Sequence, residues 1–264
     1  SQKNRASLKG ETSTVSALSI KRNELLKASK NIIELRRANI ISSDIEQAIN
    51  LTWKDNYSTV GNNKKIAHSA QIDRSWFTRF KKLSSQRIFH RANQTPIPLK
   101  PNKRIIDIFR QSAVEGGERL LILGKPGSGK TTTMLELAHD LITLAETDQN
   151  APVPIIFELS TWETDSLDLK SWLVRKLKEV YYLDSKSGDH LVEKNQILPL
   201  LDGLDELGLE RQKKCTEKIN EFLPVSLPKR QAVVCCRTKE FKQVDIVLEN
   251  LYGAIELQPL SDKQ

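Results

Sequence analysis

Eight residues constrain this chain more than any others: Gly124-Lys125-Pro126-Gly127-Ser128-Gly129-Lys130-Thr131. They fit the pattern G-x-x-x-x-G-K-[ST] without exception. The apolar run 120–123 precedes them and an amphipathic stretch, 130–145, follows. A strand must therefore end in a glycine-rich turn that opens directly into a helix. Glycines let the backbone curl so that successive N–H groups face one point. The helix start adds free N–H groups and the positive end of its dipole, which together favour an anion. Lys130 places an ammonium beside that anion, and Thr131 offers a hydroxyl of the kind Mg²⁺ accepts. Gly124 to Thr131, with Thr132 next in line, are thus the candidate holders of a nucleoside triphosphate, ATP or GTP. A phosphate loop does not read the base.

A second signal lies downstream. The run Ile197-Leu198-Pro199-Leu200-Leu201 ends in Asp202-Gly203-Leu204-Asp205-Glu206. An apolar strand with carboxylates at its tip is the expected partner of a phosphate loop. Asp202 is assigned to the Mg²⁺ shell with Thr131, and Asp205 or Glu206 to orienting or deprotonating the attacking water. Gly203 permits the tight turn between them. Arg237 ends a third apolar run, 232–236, where a cation is placed to sense the terminal phosphate. A surface arginine on a loop is the plainer alternative.

Between and beyond these motifs, apolar runs alternate with helical periodicity. Strands are expected at 120–123, 153–159, 197–201, 232–236 and 254–257, and helices at 130–145, 167–182, 211–223 and 240–250. Such alternation specifies an α/β fold, a parallel sheet with helices on both faces. Ligands of such sheets sit at the carboxyl ends of the strands.

Residues 102–264 resemble the NACHT family of STAND nucleoside triphosphatases. The resemblance rests on 121–132, on Val153-Pro154-Ile155-Ile156-Phe157-Glu158-Leu159-Ser160-Thr161-Trp162, on 200–207 with its D-G-x-D-E acidic motif, on Val233-Val234-Cys235-Cys236-Arg237-Thr238, and on 255–260. It implies a signal-transduction switch that binds and slowly hydrolyses ATP or GTP with Mg²⁺ and self-associates on activation. It also implies that Arg237 acts as a sensor near the γ-phosphate, on a strand between the two motif-bearing strands. Family members continue beyond the position of Gln264 into helical and winged-helix modules and then, usually, a repeat-rich sensor. Ser1 in place of an initiator Met reads as a cut end or the start of a fragment.

The front of the chain is different in kind. Residues 1–110 hold 22 Lys/Arg against 8 Asp/Glu, and residues 111–264 hold 19 against 25. A small, basic, all-α domain is expected at 21–94, after a disordered or linker segment at 1–20. Helices are expected at 21–38, 43–53, 64–70 and 74–83. Thr95-Pro96-Ile97-Pro98-Leu99-Lys100-Pro101 reads as an extended connector to the nucleotide domain at 102–264. Residues 64–82 resemble a helix-turn-helix. Ile66, Ala67 and Ala70 would pack inside, Ile72 would plug the turn, and Phe77 and Phe80 would anchor the second helix. Arg74, Thr78, Arg79 and Lys81 would face DNA. Gln71 stands where many such turns have glycine, and two amphipathic helices also suit a protein-contact module. His68, Trp53 and Trp76 read as packing or surface residues.

Other classes fit less well. No apolar run approaches the ~18–20 residues of a membrane span, and no signal pattern opens the chain. Cys215, Cys235 and Cys236 suggest no disulfide framework. The last two are adjacent within a strand and should point to opposite faces. Buried, reduced thiols in a cytoplasmic protein are the expectation. Two rival functions remain: a DNA-binding transcription regulator whose affinity nucleotide adjusts, and a constitutive phosphate-loop enzyme.

Overall fold

The computed structural model describes residues 17–40, 42, 87–91, 95–100, 103–115, 118–163, 168–227, 229–243 and 247–258. The expected helix-turn-helix, with Arg74, Thr78, Arg79 and Lys81, lies outside them, as do the helices expected at 43–53 and 64–83.

A seven-stranded sheet organises the described residues. Its strands are β1 (Arg87–His90), β2 (Ile97–Leu99), β3 (Arg119–Gly124), β4 (Val153–Glu158), β5 (Ile197–Asp202), β6 (Ala232–Arg237) and β7 (Gly253–Leu257), in the spatial order β2-β1-β7-β3-β6-β5-β4. The five strands from β7 to β4 run parallel. All six residues of β3 are buried, the continuous apolar pattern that a strand covered on both faces requires.

The sheet is mixed rather than wholly parallel. β1 pairs antiparallel with β7, and β2 antiparallel with β1. Residues 87–90 and 97–99 therefore extend the nucleotide-domain sheet, where sequence reasoning put the end of a helical domain and a connector. The prolines flanking Ile97 did imply extended backbone, and an edge strand is where a sheet tolerates them.

The helices are α1 (residues 17–40), α2 (Ile105–Glu115), α3 (Lys130–Thr147), α4 (Leu169–Tyr181), α5 (Ser185–Glu193), α6 (Leu209–Phe222) and α7 (Thr238–Gln243). Two neighbouring thiols show that both faces are covered. Cys235 meets the Met134 sulfur of α3 at 3.5 Å, while Cys236 lies 3.6 Å from Gln212 Nε2 of α6. Consecutive strand residues face opposite ways, so α3 and α6 occupy opposite faces. All three cysteines are free and buried. Asp168 and Asp184 cap α4 and α5, their carboxylates accepting from the N–H groups of Ser171 and Ser187. The helix expected at 240–250 is shorter: α7 ends at Gln243, and residues 247–250 are not helical.

α1 is already helical at residue 17, ahead of the start periodicity suggested, and it packs on the nucleotide fold. Leu25, Leu26 and Ile33 are buried in the same core as the sheet. Arg22, 4% exposed, donates to the carbonyls of Ala145, Asp148 and Ala151. Ser29 Oγ donates to Pro154 O of β4 at 2.5 Å. β4 is the last strand of the sheet, and α1 covers that edge, a common way to protect unpaired strand groups.

Candidate functional site

Register puts the sequence motifs at one end of the sheet. Gly124 pairs with Arg237 on one side and Leu257 on the other, and Glu158 pairs with Asp202. These are the carboxyl ends of parallel strands. β6 lies between β3 and β5, so Arg237 stands between the phosphate-loop strand and the acidic strand.

The loop after β3 has the backbone its glycines permit. Gly127 and Gly129 lie at φ 73° and 87°, and a Cβ on either would meet open space. Gly124 serves differently: a Cβ there would fall 2.2 Å from Ser128 Oγ, with Ser128 itself buried. Gly129 is the N-cap of α3 and brings no side-chain cap to it. The first N–H groups of α3 therefore face an open loop without the side-chain partner that most helix starts have. Lys130 folds over the loop, its Nζ donating to Gly124 O at 3.1 Å and Lys125 O at 3.2 Å. Thr131 and Thr132 are exposed on the first turn, whereas Thr133 turns into the core. An open curl of backbone, a lysine and an exposed threonine fit a triphosphate and its divalent cation.

The acidic strand end separates three carboxylates into different environments. The Asp205 side chain is 5% exposed and held by a single residue twice. Its Oδ1 accepts from the Arg237 backbone N–H at 2.9 Å, and its Oδ2 meets Arg237 Nε at 2.8 Å. Glu206 is exposed and folds back over Gly203. Gly203 sits at φ 79°, and a Cβ there would be 3.0 Å from the Glu206 carboxyl carbon. Asp202 is half-buried between its neighbours. Burial raises its pKa to about 6; Glu206, Asp205 and Glu158 push the same way, and Arg36 opposes them.

Lys130, Asp202 and Asp205 converge on the end of β6. All three fields act on the buried Cys235 thiol. Its pKa is raised well above normal by burial first and then by Asp202, with Lys130 opposing. Among the described residues no group of three or more His, Cys, Asp and Glu side chains forms a metal cluster.

Two residues at this end were not singled out from the sequence. Glu158 closes β4 beside Asp202, and Arg36 reaches it from α1, its Nη2 2.6 Å from Glu158 Oε1. A carboxylate ending an apolar strand was the available signal for Glu158. Arg36 carries no comparable signal, because its partner is 122 residues away.

Comparison with known proteins bears on the family. The model of the NACHT domain matches residues 118–264. No curated protein sequence matches the chain. Among solved structures, that of C. elegans PCH-2 is similar at 16% identity and a TM-score of 0.31, over 60% of this chain and 41% of that one. Among the described residues no helix is long and apolar enough to cross a membrane. The family match spans more than half of the chain and includes both nucleotide motifs, so the chain belongs to the NACHT domain family of nucleotide-binding NTPases.

Proposed function

We propose that the protein is a cytoplasmic ATP-dependent switch that binds and slowly hydrolyses MgATP and passes its nucleotide state to the N-terminal segment. The observation that supports this most is the register: the loop, Asp202 and Arg237 end adjacent parallel strands on one side of the sheet. Backbone N–H groups of 124–132 and the Lys130 ammonium take the β- and γ-phosphates. Thr131 and Asp202 would hold Mg²⁺, which when bound offsets phosphate charge. ATP is preferred over GTP on the family resemblance alone.

The carboxylates divide the work by environment. Asp205 is already committed to Arg237 on both oxygens, so it positions that arginine. Glu206 is exposed and pairs with no cation among the described residues, which suits it to the water. Water oxygen bonds to the γ-phosphorus, the bond to the β–γ bridging oxygen breaks, and the water proton passes to the Glu206 carboxylate. ADP and inorganic phosphate leave. Arg237 meets the γ-phosphate and reports its loss through Asp205 and the turn that carries Glu206.

Lys130→Ala is expected to abolish nucleotide binding in calorimetry; micromolar binding retained would refute the site. Glu206→Gln should bind ATP as the unaltered chain does while turnover falls by about 10²-fold or more. Undiminished turnover would remove Glu206 from the reaction.

The output side rests on α1. Arg22 meets the loop before β4 and Arg36 meets its tip, so α1 runs alongside β4 and brings Arg36 to the nucleotide face. Residues 43–86 follow directly. Their basic balance supports engagement of a polyanion, with DNA through residues 64–82 as the specific form of that reading. Self-association in the ATP state completes the switch. Sedimentation of the chain with ADP and with a non-hydrolysable ATP analogue tests it, and identical mass in both would exclude it.

A further inference from the structure

The carboxyl ends of β4, β5 and β6 concentrate negative charge. Glu158 and Asp202 are register partners there, and Asp205 and Glu206 follow within one turn. Arg237 neutralises Asp205. A second arginine among the described residues, Arg36, acts on this group: it pairs with Glu158 at 2.6 Å, and its field reaches Asp202 as well. It also reaches Tyr181, which burial pushes up to about 12 and Arg36 draws down. Arg36 thus stands where α1, the end of α4 and the tips of β4 and β5 meet. The four carboxylates and the two arginines sum to −2, the Lys130 ammonium of the phosphate loop apart. Without Arg36 the balance would be near −3.

We propose that Arg36, supplied by the N-terminal helix, is a positioning residue of the nucleotide site that sets the charge of the acidic strand ends through Glu158. The inference rests on the nucleotide-site reading above. It makes α1 part of the NTPase machinery as well as a cover for the sheet edge, and it links the docking of α1 to the ligand carried at the strand tips.

Two ligands of opposite charge separate this role from simple pinning of the helix. MgATP is an anion, whereas Mn²⁺ without nucleotide is a cation. Removing one positive charge shifts their affinities in opposite directions, by roughly three- to tenfold each for neighbouring charges at an effective dielectric near 20. Arg36→Gln in the full chain should therefore weaken MgATP binding in calorimetry and tighten Mn²⁺ binding followed by electron paramagnetic resonance. Arg36→Lys should restore both. The exchange of Arg36→Glu with Glu158→Arg keeps the charge sum and should also return both affinities toward the original.

Hydrogen exchange of residues 17–40 accompanies each variant. Loss of protection there with both affinities unchanged would overturn the proposal, as would both affinities moving the same way. Lys130→Ala keeps the two readings apart. A chain that binds no nucleotide even with Lys130 and Arg36 intact refutes the nucleotide site itself, whereas nucleotide binding indifferent to Arg36 refutes only this inference.

Discussion

Arg119 shows what one buried side chain can hold. It opens β3, is 2% exposed, and donates to five backbone carbonyls: Arg230 and Leu223 at 2.9 Å, Asn250 at 3.3 Å, Pro224 at 3.1 Å and Leu227 at 2.6 Å. Burial, then Arg230, lowers its pKa, yet a guanidinium stays charged in proteins. Its planar fork is what allows five acceptors, so Lys is no substitute. Arg119→Met should cost about 3 kcal/mol or more, since each stranded carbonyl costs about 1–3 kcal/mol; urea unfolding measures it. Asp202 predicts a pH dependence. Its pKa of about 6 lies above the ordinary carboxylate value, so between about pH 4 and 6 the native state binds more protons than the unfolded chain. Stability of the metal-free protein therefore falls as pH rises through that window. Asp202→Asn should be more stable than the unaltered chain by about 1–3 kcal/mol at pH 7, with the gain gone below pH 4. Gly203→Ala should cost about 1–3 kcal/mol for a left-handed backbone and displace Glu206, slowing turnover while nucleotide still binds.

At the scale of elements, α1 is the instructive case. Its apolar spacing was legible in the sequence, and so was a helix beginning near residue 21. Where that helix packs was not, because periodicity marks an apolar face and leaves its partner unnamed. Leu25, Leu26 and Ile33 enter the sheet core, and Lys21, Lys30 and Arg36 pair with Asp184, Glu146 and Glu158. Part of the basic excess of the front half is thus matched by acidic groups of the back half. Ile33→Ala should remove about 2–5 kcal/mol and shift the unfolding of the whole NTPase unit in one transition, followed by circular dichroism. A separate early transition for α1 would show that it is an appendage. The strands at 87–90 and 97–99 escaped notice for a related reason. Strands of four and three residues carry too little alternation to stand out, and β1 joins the sheet through β7, more than 150 residues on, while β2 pairs with β1.

For the molecule as a whole, charge asymmetry makes a separate prediction. If residues 64–82 contact DNA, log K should fall linearly with log salt, and Arg74→Ala with Arg79→Ala should reduce the slope by about 1 each. A flat salt response would remove DNA from the reading. The parts of the protein written most plainly in sequence are those whose physics is local. A phosphate loop needs consecutive glycines, a lysine and a hydroxyl at fixed offsets, and buried parallel strands need continuous apolar runs. Gly124–Thr131, Asp202 and the five parallel strands are therefore legible without coordinates. Tertiary structure decided what depends on residues far apart in the chain. It clamped Asp205 to Arg237 and left Glu206 exposed, although the two carboxylates are neighbours in sequence. It also brought Arg36 to Glu158 across 122 residues, because charge and burial act through space and the sequence order of two groups says nothing about the distance between them.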